Sequence, residues 1–166
     1  MEAKITEFIN KNEMNELAKY ILFNSRLMAN NIPYRFLEIE LYIYTDTHKD
    51  IFTHRHSKQK NMLKWYFHQM SEKEGSYKGG TFKGLDIACG FNGGYGGILI
   101  RSIMNENDNT VIEGPCNVVN ALLKQVTIDS VSDLVGKMNG NLSCLDNDYI
   151  KLENKPSNIE LDEYGS

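Results

Sequence analysis

The chain lacks several features that would assign it to a compartment or a polymer. None of its apolar runs approaches the roughly 20 residues needed to cross a bilayer, so no helical membrane span is expected. The amino terminus, Met1-Glu2-Ala3-Lys4, has no basic region followed by an apolar stretch, so nothing points to secretion. Three cysteines, Cys89, Cys116 and Cys144, are odd in number and share no Cys-x-x-Cys spacing. They read as reduced thiols of a cytoplasmic protein, with no disulfide framework and no zinc knuckle. Excess positive charge is also missing: the formal net charge is -4. Duplex DNA binding, which draws most of its affinity from phosphate neutralisation, is therefore disfavoured. The mixed segment from Lys49 to Lys64 is the one candidate basic patch.

What is present fits one globular domain. At 166 residues, 41% hydrophobic and 24% charged, the chain can bury a core without metals or disulfides and is not compositionally disordered. No internal repeat is visible. Ile5, Phe8, Ile9, Leu17, Ile21 and Leu22 recur at helical spacing, which predicts helix from Ile5 to about Met28 with a possible break between Asn10 and Asn15. Asn30-Asn31-Ile32-Pro33 reads as its end, since Pro33 pushes its predecessor towards extended backbone. Strands are predicted over Phe36–Tyr44, Leu63–His68, Phe82–Cys89 and Ile98–Ile103, and the glycines between 90 and 97 read as a hairpin connection, not a phosphate loop. Gly114-Pro115 opens a short helix, with proline in the first turn, and Asp129 or Ser130 caps another to Met138. Helices at both ends of a run of strands predict an α+β domain over residues 1–150 with a curved, mostly antiparallel sheet, followed by a polar tail over 151–166.

The segment Phe36 to Tyr44 is the most informative, because it alternates. Leu37, Ile39, Leu41 and Ile43 fall on one face, and Glu38, Glu40, Tyr42 and Tyr44 on the other. Two carboxylates beside two phenols offer acid/base groups and flat surfaces to a planar, polar ring, although a solvated outer strand face has the same pattern. Arg101 and Asp86 each lie in an otherwise apolar strand, where a lone charge is costly. Either Arg101 pairs with Glu38, Glu40 or Asp86 for structural reasons, or these groups form a substrate cluster. Asp46, His48, Asp50, His54 and His56 make a ligand-rich loop without any zinc spacing, so no metal is assigned. Trp65, Tyr66 and Phe67 suit sheet packing, with base stacking as the alternative.

The order Glu38-Ile39-Glu40-Leu41-Tyr42, a histidine a dozen or so residues on, Leu99-Ile100-Arg101-Ser102-Ile103 and then Gly114-Pro115 resembles the alkyladenine (3-methyladenine) DNA glycosylase family. The resemblance covers roughly residues 35 to 125. It implies that family's α+β fold and hydrolysis of a base–sugar bond after the nucleotide is flipped into a pocket, with no cofactor. It places Glu40 as the carboxylate that polarises water, Arg101 beside it, Tyr42 stacked on the base and His54 nearest the family histidine. Glu38, Asp86 and either Trp65 or Tyr66, the latter pair replacing a wedge tyrosine, complete the expected ligand surroundings. The chain departs from the family in its acidity, its shorter length and its missing arginine-rich threonine/proline segment. These departures shift the expected partner from duplex DNA towards a free nucleotide, nucleoside or nucleobase. A protein that binds such a ligand without chemistry, and one that uses the Glu/Tyr face as a protein interface, are the alternatives.

Overall fold

The computed structural model describes residues 1–45, 49, 55, 57–70, 77–90 and 94–156. It is a single α+β domain with a curved, mostly antiparallel half-barrel sheet flanked by helices. Two helices open it, α1 (Glu2–Asn10) and α2 (Met14–Asn24), separated at Asn12, which takes a left-handed φ of 56°. They bury Ile5, Ile9, Leu17 and Ile21. The helical pattern stops earlier than the apolar spacing suggests, because Ser25–Ala29 is a strand, β1, with alternating burial. Asn30 and Asn31, both at positive φ (46° and 64°), turn the chain directly into β2 (Ile32–Tyr44), with Ala29 facing Ile32. Asparagine tolerates this conformation, which matches a two-residue hairpin turn. The Asn-Asn-Ile-Pro segment is thus a hairpin, not a helix end.

The sheet continues with β3 (Met62–Phe67), β4 (Leu85–Cys89), β5 (Tyr95–Asn105) and the short β6 (Val111–Glu113). Phe82, expected to begin a strand, closes a 3-10 turn instead and is exposed. Helices α3 (Pro115–Gln125) and α4 (Val131–Met138) follow, the second capped by the Ser130 hydroxyl accepting from Asp133 N–H. The last strand, β7 (Ile150–Asn154), corrects the tail boundary. Residues to Asn154 pair antiparallel with β1, and Leu152 is buried in the core. Two apolar residues between charged ones gave little signal by themselves.

The strand order is β3-β4-β5-β2-β1-β7, with β6 added to β5. Curvature brings the two edge strands together across residues 142–144. Cys144 N–H donates to Leu63 O, Leu152 N–H donates to Cys144 O, and the Trp65 indole N–H reaches Ile150 O at 2.9 Å. One sheet face packs Leu27, Trp65, Phe67, Ile87, Ile98 and Ile100 against the helices, including Val118, Val119 and Leu122 of α3. Within β2 the alternation changes parity at a bulge between Phe36 and Ile39. Tyr34 and Phe36 face the core before it and Ile39, Leu41 and Ile43 after it, so Leu37, 40% exposed, does not join the apolar face. No helix among the described residues is long and apolar enough to cross a membrane.

Candidate functional site

The polar groups gather on the sheet face opposite the core. Directly opposed residues on neighbouring strands share a face, and the register runs Glu40–Leu99–Asp86–Tyr66 across β2, β5, β4 and β3. Tyr42, Gly97, Ala88 and Lys64 form the next row. Tyr66, Ala88 and Leu99 are buried yet lie outside the main core cluster, as expected for residues on this second face.

At one end of the row Arg101 spans both glutamates. Its Nη1 donates to Glu40 Oε2 at 2.7 Å, and its Nε lies 3.4 Å from Glu38 Oε1. The side chain is 38% exposed, so the guanidinium has left the apolar environment that the strand sequence suggests. The hydrogen bond to Glu40 raises its pKa further. Burial, together with a hydrogen bond to Glu40 and the charge of that carboxylate, pushes the Tyr42 phenol up to about 12, with Arg101 opposing. Glu38, Glu40, Tyr42 and Arg101 therefore form one cluster. Two carboxylates and one guanidinium leave it one unit negative.

Two strands away, about 10 Å at the usual strand spacing, Asp86 is almost fully buried. It does not pair with Arg101. Its Oδ1 lies 2.8 Å from His68 Nε2, and its Oδ2 accepts from Gln59 Nε2 at 3.4 Å. Gln59 lies in a 3-10 turn (Ser57–Lys60) that packs over β4 and β5. Small residues make this approach possible. A Cβ on Gly97 would sit 2.7 Å from Asp86 Oδ2, and one on Gly84 would sit 2.5 Å from His68 Nδ1. Tyr66 lies beside His68, ring centroids 5.7 Å apart. The sequence reading omitted His68 and Gln59. His68 follows Tyr66 at the two-residue spacing that puts both on one face, which was a usable signal; Gln59 had none.

At the other end of this face Tyr44 opposes Tyr95, with ring centroids 6.3 Å apart. Arg55 lies over the Tyr44 ring and Lys60 over the Tyr95 ring. Part of the 49–64 basic segment thus meets the aromatic end of the sheet.

The remaining expected residues separate. Trp65 is 1% exposed, packed in the core with its indole bonded to β7, so it cannot stack on a ligand or wedge between bases. Tyr66 is on the site face but 1% exposed, which also removes it as a surface wedge. His54 lies outside the described residues, as do His48 and His56. Among the described residues no three His, Cys, Asp or Glu side chains converge as metal ligands.

No family model matches the chain, and no solved structure matches it. A protein of Acanthamoeba polyphaga mimivirus, named only as uncharacterized, is 35% identical over 141 aligned residues, covering 77% of this chain and 64% of that protein. The chain thus spans less than two thirds of the length of this relative.

Proposed function

We propose that the Glu38–Glu40–Tyr42–Arg101 cluster hydrolyses the N-glycosidic bond between a sugar and a purine-like base, using water held by Glu40. The observation that carries this reading is the exposed Glu40 carboxylate fixed by Arg101 at 2.7 Å while the cluster keeps one net negative charge. As the base departs with the bonding electron pair, positive charge develops on the sugar, and the residual negative charge stabilises it. Water adds to the sugar carbon and gives its proton to Glu40, which passes it through solvent to the base that left with the electron pair. The products are the sugar with a hydroxyl at that carbon and the neutral base, and Glu40 is a carboxylate again. Capture of an oxocarbenium-like sugar needs little base strength. Tyr42, protonated throughout the neutral range, offers a flat face and a hydroxyl to the base.

The favoured substrate is a free nucleotide or nucleoside, because the acidic chain disfavours duplex DNA. Replacing Glu40 with glutamine is expected to lower base release by about a hundredfold to ten-thousandfold while leaving the thermal unfolding temperature and base binding near wild type. Unchanged turnover in this variant would refute the assignment.

A second reading has one observation in its favour. Glu40 is engaged by both Arg101 and Tyr42, which suits recognition without chemistry. Under that reading the ligand binds stoichiometrically and is recovered intact after denaturation.

A further inference from the structure

The non-core face carries a second group of charges, at the β1–β2–β7 end of the sheet. Arg26 and Arg35 stand directly opposite each other on β1 and β2, a placement in which like charges repel. Glu106 relieves this unequally: its Oε2 lies 3.1 Å from Arg26 Nη1, but its Oε1 is 3.7 Å from Arg35 Nε. Arg26 also holds Glu153 at 2.6 Å, so both carboxylates are committed chiefly to Arg26. Arg35 keeps one loose contact and is half exposed. Lys155, just beyond β7, donates to Leu22 O at 3.3 Å and has no carboxylate partner among the described residues. Burial and the like charge of Arg35 pull its ammonium below the ordinary value. Three cations, Arg26, Arg35 and Lys155, thus line a cavity of about 330 Å³ with one carboxylate, Glu106, and with Asn109 also in its wall.

We propose that this cavity is an oxyanion site that takes inorganic phosphate or the terminal phosphate of a phosphomonoester between Arg35 and Lys155. A doubly charged tetrahedral anion removes the repulsion between these side chains and supplies the partner that Glu106 does not give Arg35. The volume suits a phosphate with a small substituent. Arg35 lies five residues from Glu40 along β2, and none of Glu38, Glu40, Tyr42 and Arg101 lines this cavity. The site is therefore separate from the Glu40 cluster and does not depend on the function proposed for it.

The test is calorimetric titration of the full chain, in phosphate-free buffer of low ionic strength, with inorganic phosphate, adenosine monophosphate and adenosine. Saturable one-to-one binding of phosphate or the monophosphate is expected, and any heat from adenosine, which belongs to the Glu40 cluster, should be the same in wild type and in the Arg35 and Lys155 variants. The tighter of the two anions identifies the source. Arg35→Gln and Lys155→Gln should each weaken binding about tenfold or more, and Glu106→Gln should tighten it by removing a competing carboxylate. Thermal melts of all three variants establish that they are folded. Absence of saturable anion binding to wild type would overturn the proposal, as would full affinity in the Arg35 and Lys155 variants or weaker binding in Glu106→Gln. An equal loss in Lys124→Gln, a surface lysine on α3, would reduce the effect to net charge and overturn it as well.

Discussion

Replacing Gly97 with alanine tests the packing that brings Asp86 into the site. The added methyl would sit 2.7 Å from Asp86 Oδ2 and 3.3 Å from Gln59 Nε2. Asp86 cannot swing away cheaply, because it is buried and held at 2.8 Å by His68. Overpacking of this kind costs about 1–3 kcal/mol. For a chain of this size each kcal/mol shifts the unfolding midpoint by about 2–4 °C, so a fall of roughly 2–12 °C is expected in a thermal melt followed by circular dichroism. Gly136→Ala is the control. Among the described residues nothing beyond its own helix backbone lies within 4 Å of the added methyl, and its position inside α4 predicts a gain of about 0.5–1 kcal/mol. Contact with Asp86 also predicts coupling: in an Asp86→Ala background the methyl has room, and the cost of Gly97→Ala should shrink. A midpoint at or above wild type for Gly97→Ala, or the same cost in both backgrounds, would refute the reasoning.

Other consequences can be checked with simple measurements. Burial pushes the Cys89 thiol up to about 12, with the Asp86 charge adding to it, and raises the buried Cys144 thiol as well, whereas Cys116 is only partly buried. A disulfide reagent at pH 8 should therefore label one of the three thiols rapidly in the native protein and all three in denaturant, and rapid native labelling of more than one would contradict this burial. The Tyr42 phenol has its folded pKa raised from 10.0 to about 12. Its stabilising contribution is therefore complete below pH 10 and lost as pH rises through 12. The difference in phenolate absorbance between wild type and Tyr42→Phe should step near pH 12 while circular dichroism stays native; a step near 10 would deny both the burial of the phenol and its hydrogen bond to Glu40. Trp65→Phe removes the indole donor to Ile150 O and some core volume. It should cost about 1–3 kcal/mol in denaturant unfolding, and a cost near zero would mean that β7 is not tied to β3 through this bond.

Much of the site could be read because strand alternation carries side-chain direction. Once Glu38, Glu40 and Tyr42 were placed on one face and Arg101 in a neighbouring apolar strand, their meeting required only antiparallel pairing of β2 with β5. Leu37 misled because a bulge is a register event between strands, and nothing in Phe36-Leu37-Glu38 marks it. Asp86 lies on the strand next to Arg101, diagonal to it, but Arg101 turns to Glu40 and Glu38 on its other neighbour, β2, and Asp86 takes His68 and Gln59. Sequence separation hid this pairing. Trp65 and Tyr66 look equivalent as neighbouring aromatics, yet strand geometry must send them to opposite faces; only pairing with β4 and the bond to Ile150 decide which enters the core. In the fold, Ser25–Ala29 extended an apolar helical pattern without a proline or glycine to end it. The Asn30-Asn31 turn, a hairpin signal of moderate strength, reads as the end of that helix because Pro33 follows it.

The central claim, hydrolysis at Glu40, is tested most directly by mass balance. Wild-type protein is incubated with alkylated and deaminated DNA, nucleotides and nucleosides, and both released base and the base-free sugar product are quantified by mass spectrometry. The account predicts equimolar base and sugar product from at least one purine-like substrate at catalytic turnover, and at least about a hundredfold less of both from Glu40→Gln. Intact ligand recovered in full from both proteins, with no base released from any substrate, would contradict it.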